Sequence, residues 1–349
     1  MKTAVVILNW NTERYLRAFL PGLVVSCPDD AAVIVADSGS SDGSLEWVRS
    51  EFPQLRTIAL GGNFGFTGGY NKALSEVDAE YYVLINSDID VAPGWLEPLV
   101  DYMDSHPGCA VCGPKLHALD QDGQGGFKRT SRFEYAGAAG GLLDRFGYPF
   151  CRGRVMNRTC EDTGQYDLPA EVLWVSGACL VTRSSLWKAL GGLDSRFFAH
   201  MEEIDYCWRA RRLGYSVAVV PESTVWHLGG GTLSSGSPFK LELNYRNNLL
   251  LLRNNLPSTV GTLHASLLIA ARLLLDSGSA AVYLLTGRWS SFKAVLKAHR
   301  GYRKLRGQVS PGPGTVADIK GYWKICIILQ SLLRRDGIFK YIKHYEDSH

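Results

Sequence analysis

The 349-residue sequence is short of the features that mark several protein classes. Its N-terminus, MKTAVVILNWNTERYL, has a brief apolar run without a small-residue cleavage site and passes at once into Asn9 and Asn11, so it reads as a first strand and not as a secretory signal. Eight cysteines are scattered through a composition that is not the loop-rich one of small secreted domains, which favours reduced thiols in a cytoplasmic protein. Cys109 and Cys112 form a C-x-x-C, but no second pair follows at zinc-ribbon spacing, and buried thiols on a strand are the expected reading. Neither G-x-x-x-x-G-K-[ST] nor a G-x-G-x-x-G after the first strand is present, which removes the P-loop and dinucleotide fingerprints. No Ser/His/Asp or Cys/His arrangement stands out, so no enzyme nucleophile is expected. The longest apolar segment, LHASLLIAARLLLDSGSAAVYLLTG, is interrupted by His264, Arg272 and Asp276, short of the ~20 largely uninterrupted residues of a spanning helix. Arg272 and Asp276 have the i,i+4 spacing of a helical ion pair.

What the sequence does have is a core. Hydrophobic residues make up 46% and charged residues 20%, the balance of a folded chain of one large or two moderate domains. The net charge of +3 conceals an asymmetry: from Arg288 to the end there are 13 Lys or Arg against 4 Asp or Glu, net +9, which leaves the preceding chain at −6. A tail of that charge suits an anionic surface.

The first half alternates apolar strands with helices. TAVVILNW, AAVIVADSGS, LRTIAL and YYVLINSD are strand-like, and TERYLRAFLPGLVVS (helical to about Pro21), DGSLEWVRSEF and GGYNKALSEV lie between them. Strands apolar throughout imply a parallel sheet covered on both faces, whose ligands gather at the strands' carboxyl ends. Polar clusters stand at those ends: Asn9 and Asn11, Asp37 and Ser38, Asn63 and Gly65, Asp88 and Asp90. Each alone is ordinary turn or cap chemistry; four on one edge suggest a nucleotide site, with GGNFGFTGGYNKA, which includes Asn71, opening a helix toward phosphates. Asp88 and Asp90 admit two readings, a capping turn before Pro93 or a divalent-metal anchor, the latter if the backbone stays extended past Ser87 so that both face one ion.

The second half offers acids. Glu202, Glu203 and Asp205 open a helix that closes with Arg209, Arg211 and Arg212, signs that suit the helix dipole. Three carboxylates in four residues beside the apolar RFFAHM also suit proton acceptance from a substrate hydroxyl. His227, after the strand SVAVVPESTVW, is either a packed histidine or a metal ligand.

Taken in order, VVILNWN, VADSGSSDGS, NFGFTGGYNKAL, LINSDIDV, WVSGACLVTRSSLWKALGGLDSRFFAHMEEIDYCWRARRLGY and VWHLGGG resemble family 2 glycosyltransferases, especially the rhamnosyltransferase-like branch of cell-surface polysaccharide assembly, from about Thr3 to Asn255. The resemblance implies an α/β GT-A fold with a mixed, mostly parallel central sheet flanked by helices, an inverting reaction, a nucleotide-diphosphate sugar donor (dTDP-, UDP- or GDP-linked) and Mn²⁺ or Mg²⁺. It places Asp37 at the nucleobase and Asn9 and Asn11 at the nucleotide, with Ser38, Asn63, Gly65, Asn71 and Asp88 on the donor side. It makes Asp88 and Asp90 the D-x-D motif and His227 a third metal ligand. EEID matches the family's E-D-x-D, so Glu203 is the counterpart of the base although Glu stands where Asp is usual; Glu202 is the alternate and Asp205 a further candidate. Trp174 and Gly177 fall in the acceptor-side motif.

The expected division is a catalytic domain over 1–256, with a nucleotide-sugar half to about 115 and an acceptor half from 116, and a C-terminal helical extension over 257–349. That extension packs on the catalytic domain, meets a membrane surface at the inner face of the cell membrane, or joins a second subunit in a homo-oligomer. QVSPGPGTVAD reads as a linker before a last amphipathic helix, YWKICIILQSLLRR. The expected acceptor is a saccharide or lipid-linked saccharide, with no nucleic-acid partner. A sugar nucleotidyltransferase and a non-catalytic saccharide-binding scaffold are the competing readings.

Overall fold

The computed structural model describes residues 1–229, 236–308, 319–335 and 337–348. Most of the expected linker (309–318) and the last two glycines of VWHLGGG lie outside the described residues.

The chain opens with β1 (Thr3–Asn9), α1 (Glu13–Val25), β2 (Ala31–Asp37), α2 (Ser44–Glu51), β3 (Arg56–Ala59), α3 (Gly65–Ser75) and β4 (Tyr81–Ile85). Helix α1 runs through Pro21, which lies on the exposed face, because Leu20 and Leu23 on either side of it are buried in one core. A short β5 (Ile89–Val91), α4 (Glu97–Ser105) and the long β6 (Cys109–Gln121) and β7 (Phe127–Phe133) follow. Then come the small strands β8 (Gly141–Asp144), β9 (Pro149–Cys151), β10 (Arg154–Val155), β11 (Arg158–Thr159) and β12 (Ala170–Glu171). The chain returns to the main layer with β13 (Cys179–Arg183), α5 (Ser184–Leu190), α6 (Glu202–Arg212) and β14 (Ser216–His227). Helices α7 (Pro238–Val260), α8 (Thr262–Leu285) and α9 (Trp289–Leu305), the strand β15 (Tyr322–Trp323) and helices α10 (Ile327–Leu333) and α11 (Ile338–Ser348) complete it.

The main sheet runs β12-β14-β6-β13-β4-β1-β2-β3, with β5 on β14 and β7 on β6. It is mixed: β3-β2-β1-β4 and the β6–β14 pair are parallel, whereas β13 lies antiparallel between β4 and β6. The apolar character of β1 now has its cause. Ala4 and Val6 enter one core and Val5 and Ile7 the other, because successive side chains leave opposite faces and both faces are covered. Cys109 and Cys112 are buried thiols on β6, as expected.

A second sheet, β11-β10-β9-β8-β15, is capped by the C-terminal helices through Leu142, Phe150, Val155, Trp323, Ile327, Ile338 and Ile342. The segment expected as one last amphipathic helix from Tyr322 instead begins as β15, pairing with β8, and Trp323 fills this third core. Position 256, where the sequence suggested a division, falls inside α7.

Candidate active site

Parallel pairing aligns Asn9 with Asp37 at the carboxyl ends of β1 and β2. Asn9 Nδ2 donates to Asp37 Oδ1 and to Ser44 Oγ, both at 2.7 Å, and Asp37 Oδ2 accepts the Gly39 and Ser40 amides at 3.0 Å. Both residues are buried, so their polar groups build the turn that shapes this edge. Asn11 takes a left-handed conformation and its Oδ1 accepts the Ser41 amide at 2.8 Å, tying the first two strand-end loops together. The buried Ser38 hydroxyl has no partner. At α3, Asn63 Oδ1 accepts the Gly65 amide at 2.8 Å. Gly65 has φ +68°, and a Cβ there would meet the Phe198 ring at 2.5 Å. Asn71 braces this helix against the segment after α5: its Nδ2 donates to the Leu193 carbonyl at 2.7 Å and its Oδ1 accepts the Leu193 amide at 2.9 Å.

Beyond β4 the backbone does not stay extended. It leaves the strand at Ile85, turns through Ser87 and Asp88, and resumes as β5 on a different neighbour, β14. Asp88 and Asp90 therefore part company. Asp90 lies opposite Trp226 and is held bidentate by Arg129 at 2.6 and 2.8 Å, with that guanidinium stacked 4.2 Å over the Trp226 ring. Asp88 turns inward, its Oδ1 3.3 Å from His227 Nε2, and His227 Nδ1 lies 3.3 Å from Glu134 Oε1. All three are buried. Burial disfavours a charged imidazole, yet the Asp88 and Glu134 carboxylates outweigh it and push His227 up to about 10. Burial likewise opposes ionisation of Asp88, but His227 holds it below the usual carboxylate range. Glu134 had no motif to announce it; an acid directly after the buried Phe133 was its only signal.

The acids at the start of α6 sit on strained backbone. Phe198, His200 and Met201 all have positive φ, between 65° and 72°. The loop is held by Asn247 of α7, whose Nδ2 lies 2.9, 2.8 and 2.8 Å from the carbonyls of Phe197, Ala199 and His200. Glu202 and Glu203 each keep one carboxylate oxygen without a partner. Burial pushes Glu203 up to about 7, and burial with the neighbouring Glu203 raises Glu202 well above the carboxylate range. Asp205 is committed elsewhere: it is fully buried and accepts from Arg209 at 2.7 Å, Asn254 at 2.8 Å and Asn255 at 2.9 Å, which makes it the joint between α6 and α7.

The Asp88 turn and Glu203 both adjoin the segment that leads into β13. The Asn86 amide donates to the Ala178 carbonyl at 2.9 Å, tying the Asp88 turn to this segment, and a Cβ on Gly177 would stand 3.4 Å from Glu203 Cβ. Gly177 thus adjoins the acid, whereas Trp174 is a core residue whose indole N–H donates to the Leu142 carbonyl at 3.1 Å. Among the described residues no three His, Cys, Asp or Glu side chains are already grouped as a metal cage.

The architecture is that of the GT-A glycosyltransferases. It is similar to the structure of GalNAc-T7 with UDP, GalNAc and Mn²⁺, with a TM-score of 0.56 and 15% identity over 73% of this chain and 48% of that one. It is also similar to Staphylococcus aureus TarS 1-349 in complex with UDP-GlcNAc, with a TM-score of 0.52 and 16% identity over 100% of this chain and 91% of that one. Residues 4–159 match the family model for glycosyl transferase family 2. The N-acetylglucosaminyl-diphospho-decaprenol L-rhamnosyltransferase of Mycobacterium tuberculosis strain H37Rv is 26% identical over 234 residues, 64% of this chain and 75% of that protein. Residues 4–159 form a glycosyl transferase family 2 domain, and the chain is similar to a rhamnosyltransferase.

Proposed function

We propose that the chain transfers a sugar, with inversion, from a nucleoside-diphosphate donor to a hydroxyl of a saccharide or lipid-linked saccharide. The observation behind this reading is that two partner-poor carboxylates, Glu202 and Glu203, and the turn carrying the Asp88–His227–Glu134 group adjoin the same segment before β13. The relatives supply the classes: TarS is bound to UDP-GlcNAc, GalNAc-T7 to UDP and Mn²⁺, and the mycobacterial enzyme is named for a decaprenol-linked acceptor.

The residues present fit a divalent cation. Mn²⁺ and Mg²⁺ are commonly held by one or two side chains together with substrate phosphates, which agrees with the absence of a complete cage. Asp88 and His227 would be the ligands, and Glu134 would orient the imidazole through Nδ1, the carboxylate–histidine arrangement of metal sites. Asp90, spent on Arg129, is left out of this assignment. When bound, the ion offsets the charge that develops on the departing diphosphate.

The chain's own residues account for the rest. The Asn9–Asp37 turn and the α3 N-terminus form the donor edge, and Gly177 lets the segment before β13 pack closely against Glu203 and Phe66. Glu203 takes the proton of the attacking hydroxyl, and a base poised near neutrality does this efficiently. A single displacement inverts the anomeric centre, with no covalent enzyme intermediate. We further propose that 1–256 bears this chemistry and that 257–349 serves its placement.

A panel of dTDP-, UDP- and GDP-sugars with Mn²⁺ tests the proposal. One donor is expected to raise the melting temperature and to release nucleoside diphosphate slowly, both effects being lost in Asp88→Ala. A panel with no stabilising donor, or an Asp88→Ala protein that keeps the effect, overturns the assignment.

A further inference from the structure

Helix α8 is polarised in reverse for a surface helix. Its two charged residues face inward: Arg272 and Asp276 are 5% and 0% exposed, Arg272 Nε donates to Asp276 Oδ1 at 2.8 Å, and Arg272 Nη1 donates to Asn248 Oδ1 at 2.6 Å. Leucines face outward instead. Leu263, Leu267 and Leu274 are 78%, 63% and 74% exposed, and Leu285 at the end of the helix is 84% exposed. Leu263, Leu267, Ala270, Leu274 and Ser277, all exposed, recur at alternating intervals of four and three, a pattern that exposed Ala281 and Leu284 continue, and they form one stripe along the helix. No Asp, Glu, Lys or Arg of α8 is exposed. Single exposed leucines are common on protein surfaces; a continuous stripe marks a face that something covers.

Cations stand at both ends of the stripe. Exposed Arg145 lines a hollow together with Leu263 and Leu267 at the start of the helix. At the other end the chain turns at Gly287 into α9, where Arg288, Lys293 and Lys297 are exposed beside Trp289. From Arg288 to Arg306 there are seven Lys or Arg and no Asp or Glu.

We infer that this face docks flat on an anionic lipid surface. The stripe enters the boundary between headgroups and acyl chains, the cations of Arg145 and α9 meet lipid phosphates, and Trp289 sits at the level of the headgroups. Although α8 is the one helix among the described residues long and apolar enough to cross a membrane, its inner face is fixed to the body of the protein through Arg272, Asn248 and the Phe146 carbonyl. A helix so anchored lies along the surface. A second copy is a poorer occupant: with cations at both ends of the stripe, parallel or antiparallel pairing sets like charges against each other. The inference deepens the proposed function by bringing a lipid-linked acceptor to the enzyme, but the binding it describes is measured without any transfer.

The full chain is floated with vesicles of phosphatidylglycerol and phosphatidylcholine in equal parts, and with phosphatidylcholine alone. Binding is expected to the first, weaker to the second, and reduced by salt. The double variant Leu267→Glu/Leu274→Glu, with both side chains already in water, is expected to melt like the wild type and to lose vesicle binding. Lys293→Glu/Lys297→Glu, a separate check should the first variant not fold, is expected to weaken binding to anionic vesicles by roughly fivefold or more for each reversed charge. A wild type that ignores anionic vesicles, or a folded leucine variant that binds as well as the wild type, overturns the inference. A wild-type dimer in sedimentation that the leucine variant dissociates, with no vesicle binding, assigns the face to a second copy and also overturns it. Transfer to a soluble acceptor is read separately: lost docking with intact transfer counts against the docking alone, and intact docking without transfer counts against the catalytic reading alone.

Discussion

Glu203 stands at the first turn of α6 with a carboxylate that burial pushes up to about 7. As the proposed base it must be ionised, so kcat/KM is expected to rise with pH through about 7 and to level off above it. The same shift has a stability sign. The folded-state pKa lies above the unfolded value, so the protonated acid is favoured in the fold, and its contribution is complete below the unfolded pKa and lost as pH rises through about 7. Glu203→Gln is therefore expected to gain on the order of 1–3 kcal/mol relative to wild type between about pH 5 and about pH 8, read from urea unfolding at each pH. At this scale residue type and spacing singled out Glu202, Glu203 and His227 as candidates, and the structure supplies their surroundings: an unpartnered oxygen on each acid and an imidazole between Asp88 and Glu134. Spacing does not carry backbone direction: Asp90 matches a D-x-D pattern by count, and the turn at Ser87 sends its carboxylate to Arg129. Glu134 was invisible because its value comes from facing His227, 93 positions along the chain.

Among the elements, α7 positions α6. Asn247 gives its amide to three carbonyls of the left-handed loop ahead of Glu202, and Asn254 and Asn255 hold Asp205. Asn247→Ala is expected to cost ~1–3 kcal/mol, because buried carbonyls lose their donor. It is also expected to lower kcat for transfer while donor affinity holds; unchanged kcat in a destabilised protein would reduce Asn247 to a structural role. None of this was legible in the sequence, where NYRNNLLLLRNN reads as a polar and apolar mixture. The β1–β4 region was legible, since continuous apolar runs separated by helices have few other solutions. The antiparallel insertion of β13 between β4 and β6 was not, because long-range pairing leaves no local mark in a sequence.

Across the whole molecule, the C-terminal extension shares a core with the second sheet. Ile338 and Ile342 of α11 are fully buried against the group that includes Phe150 and Val155, and Arg152 meets Glu346 at 2.9 Å with its own side chain 4% exposed. Removing residues 338–349 is expected to cost several kcal/mol, at about 2 kcal/mol for each isoleucine together with a buried guanidinium left unpaired. The check is whether that truncation lowers the melting temperature of the whole chain in one transition. A separate melting step for an unaffected 1–256 unit would show that the extension is dispensable to the fold.

The most direct measurement compares donor binding with transfer in Glu203→Gln. Calorimetry with the stabilising nucleotide sugar and Mn²⁺ is expected to give a Kd within about threefold of wild type, while kcat falls by about a hundredfold or more, the usual worth of a general base. Transfer at the wild-type rate would contradict the account and move the base to Glu202.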